Sequence, residues 1–354
     1  MPIPTEPIGS IPRPRTLLSG IEAFRAERVS AQELSAIYEG AVADTVERFE
    51  ATGSPVVTDG EQTKPSFATY PIDGLEQLAP DGVTITFADG HTRRLPRLTA
   101  GPFRYRTYAV SYLVAARKYA RVPVKQPLIS ASALSLLYLE DGIPGYSREQ
   151  FVGDLVREAS LDIRRCLDAG AHCVQIDFTE GRLAVKPDPS RRLLGAFVDL
   201  SNRVLEAFSA EERTRIGIHT CPGGDRDSTH SADVDYAELL PDLFRTAVGN
   251  VYIQLASERD RRRVLRLIAA HTRRDQRVFV GVTNPIDPRV ETAEEVRDRV
   301  LEAAEFIASD RLGTTDDCGF APFADDVSTA RETAFEKIRA RVAGTALAAR
   351  VLGI

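Results

Sequence analysis

The chain has 354 residues, which is enough for one large α/β domain or two ordinary domains with a sizeable core. Its net charge of −6 gives no general attraction to nucleic acids or anionic membranes, so we expect neither as a partner. Small neutral or cationic ligands suit this charge better.

The amino terminus, MPIPTEPIGSIPRP, lacks the basic and apolar regions of a signal peptide. No apolar run in the sequence approaches the length that spans a bilayer. We therefore expect a cytoplasmic protein, in which the four cysteines are thiols or metal ligands and not disulfides.

Short β-rich runs alternate with longer segments at helical spacing, a pattern typical of βα units and a parallel sheet. Strands are predicted at residues 7–11, 55–60, 122–128, 172–177, 215–220, 251–255, 278–282 and 312–315. Helices are predicted at residues 31–52, 148–169, 194–208, 236–247, 258–271, 293–307 and 328–352. Eight strands separated by helices predict an α/β fold, a single (β/α)8 TIM barrel over residues 1–354.

One insertion, residues 73–112, departs from this alternation. It contains VTITFADGHTRRLPRL, two alternating runs around an Asp-Gly turn, which predicts a β-hairpin, and then an aromatic stretch, FRYRTYAVSYL. It follows the second strand and should emerge at the carboxyl end of the barrel, where active sites lie. We interpret it as a lid or rim of the site, or alternatively as a contact in a homo-oligomer.

Polar and metal-ligating residues collect where the predicted strands end. They are Ser10, Asp59, Glu61, Lys125, Gln126, Asp177, Glu180, His219, Cys221, Gln254, Asn284, Asp316, Asp317 and Cys318. This end of a barrel is where the chemistry is expected.

The stretch RIGIHTCPGGD ends a strand with His219 and Cys221, which share a face because they are two residues apart. Taken alone, the pair could equally be a buried small side chain and a hydrogen-bonded histidine. Cys318, in LGTTDDCGF, follows the eighth strand and could converge on the same ion. Two cysteines and one histidine with an open fourth position are typical of catalytic zinc, which thiolates favour over magnesium or calcium.

The remaining cysteines and histidines are given structural interpretations. Cys166 and Cys173 are predicted core residues. His91 and His271 fall in charged, surface-like segments, His230 lies in the polar loop DRDSTHSADVD, and His172 begins a strand at the end opposite the site. We assign none of these six a chemical role.

Six ordered motifs resemble the carboxyl-terminal catalytic half of cobalamin-independent methionine synthase. They are IGSIPRP, VVTDGE, VQIDFTE, IGIHTC, GVTNPIDPR and TTDDCGF, and the resemblance covers nearly the whole chain. It implies a (β/α)8 barrel with Zn²⁺ on His219, Cys221 and Cys318, where the metal binds a small thiol substrate, homocysteine. The wider superfamily includes epoxyalkane:coenzyme M transferase and uroporphyrinogen decarboxylase.

The resemblance also implies roles for three polar residues. Ser10, Glu61 and Asp177 are expected to hold the carboxylate and ammonium of the amino-acid substrate, with Glu61 and Asp177 at the reacting centre. The alternative for these carboxylates is helix capping or an internal ion pair with an arginine such as Arg13.

The sequence departs from that family in the fourth ligand and in the donor site. Gln254 stands at the position of the family's fourth ligand, a glutamate, with Glu258 as a fallback, and Ile286 stands at that of a histidine thought to protonate the departing folate. The chain has no tryptophan, on which the family stacks the pterin, and lacks the family's amino-terminal barrel. A replacement donor pocket is predicted from Phe103, Tyr105 and Tyr108.

These features lead to three hypotheses. The first is a zinc-dependent methyltransferase that makes methionine from homocysteine, with a folate, a corrinoid or another methyl donor. The second is an alkyltransferase acting on a different small thiol. The third is a non-catalytic zinc-binding barrel.

Overall fold

The computed structural model describes residues 3–354. Its α-helices are α1 Arg15–Arg25, α2 Ala31–Ala51, α3 Val110–Arg117, α4 Ala131–Ser135, α5 Arg148–Asp168, α6 Thr179–Ala184, α7 Arg192–Leu205, α8 Ala210–Arg213, α9 Leu240–Leu243, α10 Arg261–His271, α11 Ala293–Ala304 and α12 Arg331–Leu352. Its strands are β1 Leu78–Ala79, β2 Thr84–Thr86, β3 Thr92–Arg94, β4 Arg97–Leu98, β5 Gln126–Ile129, β6 Val174–Asp177, β7 Ile216–Thr220, β8 Gly224–Asp225, β9 Ser228–Thr229, β10 Asn250–Ile253, β11 Arg277–Thr283 and β12 Leu312–Asp316. Short 3₁₀ turns lie at Tyr70–Ile72 and Tyr236–Glu238.

Six parallel strands form the central sheet, in the order β12-β11-β10-β7-β6-β5. Every residue of β5, β6, β7, β10 and β12 is buried, as expected for strands covered on both faces. The register places Asp177 of β6 and Tyr252 of β10 on either side of His219 in β7. The predicted α/β fold with a parallel sheet is confirmed, and six of the predicted strands correspond to its members.

The first two predicted strands, residues 7–11 and 55–60, are wrong as regular strands. Among residues 3–354 neither run forms a regular strand: a single parallel bridge joins Thr5, two residues before the first run, to Thr314, and another joins Val57 to Val124. Proline has no backbone N–H to donate to a ladder, and Pro7 and Pro55 begin both predicted runs. The sheet as it stands does not confirm the closed eight-stranded barrel.

The helices begin where the sequence supplies caps. Helix α5 starts with a capping box in which the Ser147 side chain accepts from the backbone N–H of Gln150 while the Gln150 side chain accepts from that of Ser147. Phe151 and Leu155 of α5 are fully buried, and the Phe151 ring packs against that of Phe103. The helix predicted at 236–247 is instead a 3₁₀ turn followed by α9, because Pro241 cannot continue a preceding helix.

The segment between the second and third predicted strands contains a short hairpin. Strands β2 and β3 pair antiparallel, with Ile85 opposite Arg93, and Gly90 at the turn has φ +91°. Among residues 3–354, no helix is long and apolar enough to cross a membrane.

Candidate active site

His219, Cys221 and Cys318 form a compact cluster at the carboxyl ends of β7 and β12. One ligand atom from each lies within 4.8 Å of those of the other two, and the two sulfur atoms are 3.1 Å apart. His219 and Cys221 are buried, whereas Cys318 is partly exposed. The structure therefore brings together the three side chains that the sequence predicted as ligands.

The chemistry of this cluster fits a metal ion. Within residues 3–354, neither ring nitrogen of the buried His219 has a hydrogen-bond partner, which is costly unless something else binds it. The pKa of the Cys318 thiol is held below its usual range because the Cys221 thiol hydrogen-bonds to it. The same contact raises the pKa of Cys221. Two sulfurs and an imidazole can hold a metal here.

Gln254, the predicted weak fourth ligand, is engaged elsewhere. Its Oε1 accepts from Nη1 of Arg182 and from the hydroxyl of Tyr236, both at 2.8 Å, and its Nε2 donates to Ser257. The fallback residue Glu258 binds the same Arg182 Nη1, at 3.1 Å. The structure does not add either residue to the cluster.

Ser10, Glu61 and Asp177 line one cavity together with His219 and Cys318. All three of these polar residues are buried. Burial raises the pKa of Asp177 to about 7, against the opposing effect of the His219 charge. The chain thus places the predicted substrate-binding groups beside the predicted metal ligands.

Both carboxylates of this set, Glu61 and Asp177, already have hydrogen-bond partners within the protein. Oε1 of Glu61 accepts from Nζ of Lys64 at 2.9 Å, and Oδ1 of Asp177 accepts from Nε2 of Gln175 at 2.7 Å. Glu61 has φ +55°, a strained conformation for a residue other than glycine and one that often marks functional sites. Lys64 was missed in the sequence, although it follows Glu61 by only three residues.

The cavity has a volume of about 410 Å³, within the range of small-molecule sites. Phe67, Phe87 and Phe323 give it an aromatic wall, and Ile85 and Arg93 contribute from the hairpin. The hairpin at the centre of the 73–112 insertion therefore forms part of the rim.

The aromatic stretch that follows the hairpin does not make the predicted donor pocket. Phe103 is fully buried, with its ring centroid 5.3 Å from that of Phe151 in α5. The backbone N–H of Tyr105 and the hydroxyl of Tyr108 both donate to Glu158. These rings pack into the core because α5 offers both an apolar surface and a carboxylate for their polar groups.

His230 was predicted to have no chemical role, yet it lines the cavity and is buried. Its backbone N–H donates to the Pro222 carbonyl at 3.1 Å, so its loop folds back beside Cys221. Burial and the nearby charge of Lys186 lower the pKa of His230 to about 4, which leaves a neutral imidazole. Because its neighbours in the sequence are polar, nothing in the sequence indicated that His230 is buried and lines the cavity.

A buried carboxylate fastens the hairpin over the cavity. Asp225, in β8, accepts from Nε of Arg93 at 2.6 Å and from Nη2 at 3.0 Å, and Nε2 of His91 lies 3.0 Å from it. The Arg93 guanidinium also lies 4.1 Å from the centre of the Phe323 ring. We call Asp225, His91 and Arg93 the hairpin clamp.

Comparison with known proteins agrees with the predicted resemblance. A family model described as cobalamin-independent synthase, catalytic domain, matches residues 3–340. Proteins named methionine synthase from Sulfurisphaera tokodaii and Sulfolobus acidocaldarius are 21% and 23% identical to this chain. Those alignments cover 97% and 90% of this chain, and 91% and 85% of the two relatives.

One solved structure supports the fold over the full length. A B12-independent methionine synthase from Shewanella sp. W3-18-1, in complex with selenomethionine, has a TM-score of 0.78 at 20% identity. The match covers 100% of this chain and 100% of that one. The family suggested by the six sequence motifs is confirmed.

Proposed function

The chain belongs to the family of cobalamin-independent synthase catalytic domains, and from that premise we propose that it is a zinc-dependent methyltransferase that converts homocysteine to methionine. The observation that carries this proposal is the cavity in which His219 and Cys318 meet Glu61 and Asp177. An open cavity at the ligands also argues against a non-catalytic zinc-binding barrel. Relatives along nearly the whole chain are named methionine synthase.

We assign the zinc ligands to His219, Cys221 and Cys318, with the fourth position left to the substrate. Zinc bound there would hold the acceptor thiol as a thiolate at neutral pH. The three side chains come from two ordered strand ends, so their arrangement is largely formed before any ligand arrives.

The carboxylates of Glu61 and Asp177 are proposed to bind the substrate ammonium, and Ser10 its carboxylate. Asp177 lies directly beside His219 in the sheet register, so an ammonium bound to it is close to the reacting sulfur. The Ser10 hydroxyl accepts from the backbone N–H of Ala321 at 3.2 Å, which leaves its own hydrogen free to donate. These residues orient the acceptor, and alignment is the main requirement for methyl transfer to a thiolate.

We also propose that the central sheet is completed to a closed (β/α)8 barrel by the segments around Thr5 and Val57. Each segment has a parallel bridge to one edge of the six-stranded sheet. Between the two segments, the backbone N–H of Ile11 donates to the Gly60 carbonyl at 3.0 Å. In this proposal residues 3–354 are one domain, with residues 73–112 inserted as the rim of its cavity.

A thiol other than homocysteine is the second candidate acceptor, and one contact favours it. Because Glu61 already accepts from Lys64, only part of its carboxylate is available to an ammonium. If the acceptor carries an ammonium, Glu61→Gln and Asp177→Asn should each raise its KM. An acceptor without an ammonium should be insensitive to both changes.

The test combines metal content with a methyl-transfer assay. We expect about one zinc per chain, and methionine formed from homocysteine with one of three donors assayed in parallel: methyltetrahydrofolate, methylcobalamin or a methylsulfonium compound. Cys318→Ser should lose both zinc and transfer, because a serine hydroxyl does not supply the thiolate ligand. Cys173→Ser is the matched control, since Cys173 is buried outside the cavity. Full zinc occupancy in Cys318→Ser would contradict the ligand assignment.

A further inference from the structure

Arg13 is a buried arginine that lies behind the wall of the cavity. It follows Ser10 in the chain, is 5% exposed and does not line the cavity that contains His219 and Cys318. It lines instead a separate cleft of about 1010 Å³, which also contains Arg331. The proposed acceptor chemistry assigns Arg13 no role.

The guanidinium of Arg13 binds four main-chain carbonyls in two loops. Nη2 donates to the carbonyls of Glu61, at 2.9 Å, and Lys64, at 2.6 Å. Nη1 donates to the carbonyls of Phe323, at 3.0 Å, and Ala321, at 3.5 Å. Each terminal nitrogen therefore serves one loop, and this single side chain joins two loops that are far apart in the sequence.

The first loop, residues 59–64, carries part of the proposed amino-acid site. Glu61 has φ +55°, a conformation that persists only when its surroundings hold it. Its carbonyl accepts from Arg13 and, at 3.2 Å, from the backbone N–H of Lys64. Its carboxylate instead accepts from Nζ of Lys64. Arg13 thus holds the main chain of Glu61 without occupying the group that is proposed to bind the ammonium.

The second loop, residues 318–323, begins with a proposed metal ligand, Cys318. The backbone N–H of Phe320 in this loop donates to the Ser10 carbonyl at 3.0 Å, and Phe323 lines the cavity. Arg13 binds the loop at its far end, through the carbonyls of Ala321 and Phe323. A displacement of these carbonyls would therefore move the main chain that carries Cys318.

A forked side chain is needed to make both sets of contacts. The planar guanidinium presents N–H groups on two terminal nitrogens at a fixed separation, whereas the ammonium of lysine has a single nitrogen. Buried carbonyls that lose their donors are unfavourable, so the loops would shift to find other partners. Removing the guanidinium should loosen both loops, and a lysine in its place should secure one of them at most.

We propose that Arg13 is a positioning residue that sets the distance between Glu61, the proposed ammonium-binding group, and Cys318, the proposed zinc ligand. The ammonium and the metal-bound thiol belong to one substrate, so this distance decides whether both can be bound at once. The inference rests on the proposed methyltransferase function and adds to it the side chain that aligns the two halves of the acceptor site.

The test measures two affinities in Arg13→Ala, which removes the guanidinium beside the cleft. Zinc titration of the metal-free protein should show a dissociation constant raised by about 10-fold, because the loop of Cys318 loses charge-assisted hydrogen bonds. Calorimetry with the zinc-loaded protein should show the dissociation constant of homocysteine raised by about 10-fold, because the loop of Glu61 loses them too.

Added guanidinium ion separates positioning from a general loss of structure. The ion can enter the space left in Arg13→Ala, because Arg13 lines the cleft. At concentrations far below those that unfold proteins, guanidinium chloride should restore both affinities with the same half-saturating concentration, since one ion serves both loops. Sodium chloride at the same ionic strength should restore neither. Guanidinium that restores neither affinity, or only one, would overturn the inference.

Two further variants complete the test. Arg13→Lys keeps the charge and most of the volume, and it should recover one of the two affinities at most. Wild-type values of both would mean that charge alone suffices and that the inference is wrong. Arg273→Ala is the matched control, because Arg273 also donates to two main-chain carbonyls, those of Phe244 and Thr246, but outside the cavity. It should change neither affinity, and equal losses in Arg273→Ala would contradict the role of Arg13.

These binding measurements keep the inference distinct from the fate of the proposed function. Wild type that binds zinc and homocysteine but methylates homocysteine with none of the three donors overturns the proposed function, while the two affinities still test Arg13. Active wild type with unchanged affinities in Arg13→Ala overturns the role of Arg13 and leaves the function standing. Wild type that does not bind homocysteine overturns both, since the inference requires Glu61 and Cys318 to hold one substrate.

Discussion

The two sides of the cavity are built in different ways. The proposed metal side is carried by the ends of β7 and β12: His219 lies within the first of these fully buried strands, and Cys318 follows the second. The opposite wall is a short hairpin whose strands alternate between exposed and half-buried residues, and it is fastened by Asp225 and Arg93. One side is held by the core, and the other by a few polar contacts.

This difference separates two tasks within one pocket. A metal site needs its ligands fixed within fractions of an ångström, which a buried sheet provides. A wall that admits a second substrate must open, and elements with few buried contacts open most easily. We therefore expect that displacing the side chains of the proposed metal ligands impairs the site. The hairpin, by contrast, should be able to move without impairing it.

The largest expected effect comes from disturbing the metal side at Gly223. This glycine has φ +69°, and a Cβ there would lie 1.8 Å from Nε2 of His230. Gly223→Ala should therefore shift the turn after Cys221, weaken zinc binding by at least 10-fold and slow methyl transfer by roughly 100-fold. Zinc titration and steady-state kinetics would measure both effects.

Gly145→Ala is the control for Gly223→Ala. Gly145 has a similar φ of +75°, but a Cβ there would meet nothing within 4 Å. Gly145→Ala should therefore lower the free energy of unfolding by only about 1–3 kcal/mol, through backbone strain, and leave zinc binding unchanged. Equal loss of zinc in both variants would show that strain, and not the clash with His230, is responsible.

An intermediate effect is expected from releasing the hairpin. Arg93→Met removes two hydrogen bonds to the buried Asp225, which should lower the free energy of local opening by about 2 kcal/mol. Amide hydrogen exchange in residues 84–94 should then accelerate by roughly 30-fold, and the donor KM should rise while the zinc content is unchanged.

Arg97→Met is the control for Arg93→Met, the variant that disrupts the hairpin clamp. Arg97 lies four residues further along and pairs with Asp81, but that pair is exposed and should contribute little. If Arg93→Met lost zinc as well, the two sides of the cavity would not be independent and the comparison would fail.

The smallest expected effect is a change in the way the stability of the metal-free protein depends on pH. The pKa of Glu180 is raised to about 7 in the folded protein from 4.5, so the folded state holds this proton more tightly than the unfolded state. The free energy of unfolding of metal-free protein should therefore fall as pH rises from about 4.5 to 7, because the unfolded carboxyl ionises first. Glu180→Gln should remove this component, so its stability relative to wild type should be greater at pH 8 than at pH 4.5 in urea unfolding. If the difference in free energy of unfolding between Glu180→Gln and wild type were the same at every pH, this prediction would be wrong.

The sequence predicted the features that depend on local patterns. His219 and Cys221 were recognisable because a buried run and a two-residue spacing suffice to place both on one face. Six sheet strands followed from apolar runs, and α5 from apolar residues at helical spacing. Such signals span a few residues and need no knowledge of the rest of the chain.

The remaining features depend on contacts between distant segments. Arg93 and Asp225 are 132 residues apart, and Arg182 reaches Gln254 across 72 residues, so neither pair has a local pattern. His230 is buried despite polar neighbours because its loop folds back against Pro222. The first two strands were overpredicted because proline removes donors from runs that otherwise look extended.

The buried carboxylate of Asp225 also makes the hairpin an exchangeable module. We expect that an insertion of different length or composition can replace residues 84–94 if one arginine still reaches Asp225. The strand ends that carry His219, Cys221 and Cys318 need no change when this happens. If the hairpin contacts the methyl donor, a laboratory library confined to residues 84–94 can vary the donor preference while the proposed metal ligands stay unchanged.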